Sequence, residues 1–70
     1  MSENISIIVN GETREAASGV TVSELLQVLG IHGGRVAIER NRQILSRANW
    51  SETRVVEGDR YEIVQFVGGG

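Results

Sequence analysis

The residues that could do chemistry in this chain are few, and most of them stand alone. His32 is the single histidine, placed between Ile31 and Gly33-Gly34, and there is no cysteine. Neither a thiolate cluster nor a mixed His/Cys set for zinc or iron can be assembled, so His32 reads as an ordinary solvated side chain. Glu24, Glu39, Glu52, Glu57, Asp59 and Glu62 are scattered singly. None has the partner that acid–base catalysis requires, and they read as surface charge. Gly33-Gly34 is not a phosphate loop, because no lysine exists to complete G-x-x-x-x-G-K-[S/T] and no G-x-G-x-x-G follows a strand. What remains is the carboxylate of Gly70, behind Gly68 and Gly69. Three extended glycines reach ~10 Å and, lacking Cβ atoms, can thread a narrow channel in another protein. Glycine is costly to order, so such a tail gains nothing for a fold and suits delivery of its last atom. A frayed end or an expression scar would look the same taken alone.

Seventy residues, 40% of them hydrophobic, build one small domain with little left to enclose a substrate pocket. The net charge is −2, which leaves no electrostatic footprint for nucleic acid. No apolar run approaches the ~18 residues of a membrane span and no secretory leader is visible, so the expected compartment is the cytoplasm. All seven basic residues are arginine, for which codon bias is the plainest account.

Valine and isoleucine outnumber leucine sixteen to four, favouring strands. One helix nevertheless stands out. Thr21-Val22-Ser23-Glu24 is a capping box, and Val22, Leu25, Leu26 and Leu29 then form one apolar stripe. Gly30 follows as the residue that ends it, with Ile31 placed to contact Leu26. Period-two patterns predict a strand over 5–9, a tight turn at Asn10-Gly11 and a return strand near 13–17. A third strand is expected over 36–40, a turn at Asn41-Arg42, and a short fourth over 43–45. Residues 46–56 read as irregular, with a helical turn near Ala48 and Trp50 plugging the edge of the core. After a turn at Gly58-Asp59 comes a last strand over 61–67. The expected class is α+β: a mixed sheet of four to five strands with one main helix across one face.

Taken together, these residues resemble the ThiS family, the sulfur carriers of thiamin biosynthesis. The segments that carry the likeness are Val9-Asn10-Gly11-Glu12, Thr21-Val22 leading into Leu25-Leu26 and Leu29, and Val36-Ala37-Ile38-Glu39-Arg40-Asn41. Gln43-Ile44-Leu45-Ser46-Arg47-Ala48-Asn49-Trp50 and Gly58-Asp59-Arg60-Tyr61 through Gly70 continue it. Each motif is weak, but their order and their distance from the terminal glycines are specific. The resemblance implies a β-grasp, ubiquitin-like domain over 1–67 with a glycine tail over 68–70, the first and last strands lying parallel in mid-sheet. It also implies a protein co-substrate that is not itself an enzyme and holds no bound cofactor. A ThiF-type enzyme would use ATP to adenylate the Gly70 carboxylate. Sulfur from a cysteine desulfurase or rhodanese-type donor would replace AMP as a thiocarboxylate, and a ThiG-type thiazole synthase would accept it. The absence of lysine then gains a second meaning, since an activated acyl end finds no side-chain amine on its own chain.

Two rivals stay open at this level: a small subunit of molybdopterin synthase, with the same chemistry and another acceptor, and a β-grasp interaction module whose glycines are inert. Period two also places partners. If Ile5, Ile7, Val9, Tyr61 and Ile63 face the helix, then Ile8, Val64 and Phe66 point to the other face. They are the expected docking residues for the activating enzyme and the sulfur acceptor.

Overall fold

Two turns that carry the backbone into the left-handed region define the sheet. Asn10 and Gly11 have φ of 50° and 83°, and Asn41 and Arg42 have φ of 51° and 73°. Positive φ at both central residues is the two-residue turn whose twist matches that of flanking antiparallel strands. The hairpins β1 (Asn4–Val9) with β2 (Glu12–Ala17), and β3 (Arg35–Arg40) with β4 (Gln43–Ile44), follow from them. Their registers close on Val9 opposite Glu12 and Arg40 opposite Gln43. The structure, a computed structural model, describes residues 3–32 and 34–66.

The last strand, β5 (Arg60–Phe66), joins the two hairpins and gives the order β2-β1-β5-β3-β4. It runs parallel to β1, with Ile8 beside Arg60 and Val9 beside Tyr61, and antiparallel to β3 from Arg35–Phe66 to Arg40–Tyr61. The sheet is therefore mixed and five-stranded, with the first and last strands adjacent in its interior, as the sequence led us to expect.

Helix α1 (Val22–Val28) crosses one face. Its start is the capping box: the Glu24 N–H donates to Thr21 Oγ1 at 3.2 Å, and the Thr21 N–H donates to Glu24 Oε1 at 2.9 Å. Its end is a Schellman motif, in which the Gly30 N–H donates to the Gln27 carbonyl and the Ile31 N–H to that of Leu26. Gly30 takes φ 80°, a conformation that a side chain would penalise.

The helix buries Val22, Leu25 and Leu26 against Ile7, Val9, Ile38, Tyr61 and Ile63, while Ile5 and Leu29 are partly covered at the margin. Trp50 and Val55 seal the remaining side. They arrive on the irregular segment after β4, which includes a 3-10 turn at Arg47–Asn49. The Trp50 indole donates to the Leu45 carbonyl at 3.1 Å, and Trp50 is 9% exposed, so it closes the core edge as expected. The segment is tied to the helix start by Val22 N–H to Thr53, Ser23 N–H to Trp50 and Val55 N–H to Val20. His32 is exposed, consistent with a solvated side chain.

Candidate docking surface

The sheet face opposite α1 is covered by nothing among the described residues. On it, Val64 and Phe66 are 51% and 55% exposed, and Ile8 is half-buried. All three lie on the face that period two assigns them, but they do not form one cluster. Ile8 adjoins Arg60, and Val64 lies four residues further along β5, on the order of 13 Å. The neighbours of Val64 and Phe66 are instead Ala37 and Arg35 on β3. Gly68, Gly69 and Gly70 lie outside the described residues.

The two ends of β5 are built differently. At its start, Asp59 is 5% exposed and gathers four donors. Its Oδ2 accepts from the Val56 N–H at 2.9 Å, the Tyr61 hydroxyl at 2.9 Å and Arg40 Nε at 3.1 Å, and its Oδ1 accepts from Asn41 Nδ2 at 3.1 Å. Burial alone would raise the Asp59 carboxyl. The Val56 N–H, Asn41, Tyr61 and Arg40 outweigh it and hold the group below the usual carboxylate range. Tyr61, with no exposed surface, is pushed up to about 12, first by burial and then by donating to Asp59. The reading of Asp59 as surface charge is thus corrected. A carboxylate placed just before the strand can turn inward because the left-handed turn at Asn41 and the side chain of Arg40 converge on it. The Asn41 side-chain Oδ1 also accepts the Arg60 N–H at 2.9 Å, so one side chain fastens both the aspartate and the strand.

Further along, Asn10 replaces a strand. Beyond Val9 the chain turns away into the hairpin, and Asn10 Oδ1 accepts the Ile63 N–H at 2.7 Å while its Nδ2 donates to the Ile63 carbonyl at 3.1 Å. Past Ile63 no described residue continues on that side. Gln65, whose main-chain groups alternate away from β3, faces an open edge there. Neither the Asp59 cluster nor the Asn10 clamp is visible in hydrophobic periodicity. The available signal was asparagine at both two-residue turns, where a short amide side chain can reach the neighbouring strand.

A hollow of about 360 Å³ opens where β4 stops after two residues. Ala37, Glu39, Glu62, Val64 and Ile44 border it from the open face, and Val36, Ile38, Leu45 and Trp50 from the core side. At its end Arg47 donates to the Gly34 carbonyl at 2.9 Å, with its guanidinium 4.9 Å from the Trp50 ring centre. Among the described residues there is no group of three or more His, Asp or Glu able to hold a metal ion, and no helix long and apolar enough to cross a membrane.

The ThiS family profile matches residues 7–70. The sulfur carrier protein ThiS of Escherichia coli strain K12 is 33% identical over 66 residues, covering 94% of this chain and all of that protein. The crystal structure of a thiamine biosynthesis protein (ThiS) from Geobacter metallireducens superposes with a TM-score of 0.79 at 33% identity, covering 94% of this chain and all of that one. A thiazole synthase of Paramagnetospirillum magneticum is 39% identical over 66 residues. The match takes in 94% of this chain and 20% of the synthase, so the chain spans about a fifth of that relative's length.

Proposed function

This chain belongs to the ThiS family, and on that premise we propose that its Gly70 carboxylate is the atom group that carries sulfur. It is a small sulfur carrier protein of thiamin biosynthesis, a co-substrate and not a catalyst. A carboxylate is a resonance-stabilised anion with no good leaving group. Adenylation by a ThiF-type enzyme, with ATP giving up pyrophosphate, turns it into a mixed anhydride that a sulfur nucleophile can attack, and AMP departs. A cysteine desulfurase or rhodanese-type protein supplies that sulfur as a persulfide, whose outer sulfur bonds to the Gly70 carbonyl carbon as the C–O bond to AMP breaks. A second thiol then attacks the donor's sulfur, leaving as a disulfide with it and freeing the thiocarboxylate on Gly70. The thiocarboxylate then passes to a ThiG-type thiazole synthase in the cytoplasm.

The observation that carries this reading is the contrast along β5. A strand pinned at its start by Asp59 leads, through a half-exposed Val64 and Phe66 on an uncovered face, toward Gly68-Gly69-Gly70. The body orients the tail, and Val64 and Phe66, with Ile8 further down the same face, meet the enzymes that act on it. The thiazole synthase whose sequence includes a ThiS-like stretch supports that enzyme as the acceptor.

The deciding measurement is the intact mass of the protein after incubation with ATP, the activating enzyme and a sulfur donor. One oxygen replaced by sulfur, located on Gly70 by fragmentation, is the expected result. Deleting Gly70 should abolish the exchange without lowering Tm. A mass unchanged in the full-length protein, or exchange that survives the deletion, would overturn the proposal.

A further inference from the structure

Glu39 on β3 and Glu62 on β5 are direct cross-strand partners on the open face. Opposed side chains of this kind have Cβ atoms about 5 Å apart, and like charges so placed oppose folding. Among the described residues neither carboxylate forms an ion pair: the pairs are Arg14–Glu12 and Arg40–Asp59, and Arg47, which borders the same hollow, is engaged by the Gly34 carbonyl and the Trp50 ring. Beside the two carboxylates stand Ile44, 85% exposed, and Val64, 51% exposed. The same residues, with Ala37, border the hollow left by the short β4.

We infer that this hollow receives one cationic side chain, arginine or lysine, from the docked thiazole synthase, its aliphatic stem lying along Ile44, Val64 and Ala37 and its charge between Glu39 and Glu62. The inference rests on the docking reading above and adds a position and a chemistry to it. A long side chain with an apolar stem and a charged head matches a cavity whose wall is apolar and whose rim bears two carboxylates. The free carrier bears a repulsion that docking would turn into attraction, and partial exclusion of water by Val64 and Ile44 would strengthen that attraction.

The test is titration of purified thiazole synthase with the full chain and with Glu39→Gln/Glu62→Gln, across a range of salt concentrations. The double variant should bind about tenfold or more weakly at low salt and lose most of its salt dependence. It should also melt about 2–4 °C higher than the parent, because the like-charge pair is gone. Glu62→Lys, which creates an attractive pair with Glu39 inside the carrier, should bind more weakly still while remaining folded. If Phe66→Ala weakens binding and the double variant binds with unchanged affinity and salt slope, the inference fails and the docking reading stands. If neither weakens binding, both fall.

Discussion

Asp59, just before β5, and Phe66, at its end, are seven residues apart and follow opposite rules. At Asp59 and Tyr61 every polar group is met: four donors reach one carboxylate, and the phenol is fully covered. At Val64 and Phe66 about half of each apolar side chain stands in water, and the pairing with β1, which covers Arg60 and Tyr61, does not reach them. The first arrangement stabilises a position; the second leaves surface for another molecule. A carrier needs both, since a tail can be aimed only from a fixed base and used only if its approach is clear.

Replacing Asp59 with Asn attacks the fixed end and should have the largest effect on stability. It removes the charge from a buried, multiply bonded acceptor and leaves Arg40 without its ion partner, which should cost about 2–3 kcal/mol and lower Tm by roughly 10 °C or more. Affinity of the folded fraction for thiazole synthase should be retained. The parent carries an acid dependence that the variant lacks. Because the folded Asp59 carboxyl lies below its unfolded value, its contribution is present above about pH 4 and is lost as pH falls through the folded value. Denaturant melts from pH 7 downward would show this as a slope in one protein and not in the other.

Phe66→Ala attacks the open end and should invert the pattern. Loss of a half-exposed ring changes stability by about 0.5 kcal/mol or less, whereas affinity for thiazole synthase should drop about tenfold, as for a truncated aromatic anchor. A large loss of stability with normal binding would show that the two ends have been assigned the wrong way round.

Tyr61→Phe gives the finest adjustment. The ring stays in the core and the hydroxyl leaves Asp59, for a loss of about 1 kcal/mol. The folded phenol titrates near 12, above its unfolded value of about 10, so its contribution is complete below pH 10 and is lost as pH rises toward 12. Alkaline unfolding curves of parent and variant should therefore converge over that interval.

The helix was legible in one dimension because both its ends and its buried stripe are local: Thr21 with Glu24, Gly30 with Ile31, and Val22, Leu25 and Leu26 between them. The hairpins were legible because Asn10-Gly11 and Asn41-Arg42 set the twist of their own strands. The facing of Ile8, Val64 and Phe66 followed from the pleat, which alternates without reference to anything distant. These properties the sequence determined by itself, through interactions spanning a few residues.

Only the tertiary structure decided which side chains meet across the sheet. Asp59 becomes buried because Arg40 and Asn41, nineteen and eighteen residues earlier, are carried to it by β3. Asn10 serves Ile63 across fifty-three residues, and Glu39 confronts Glu62 because β3 and β5 pair in one register and no other. The order β2-β1-β5-β3-β4 brings those groups together, and no local pattern encodes it: strand order is set by the joint burial of all the apolar faces against one helix.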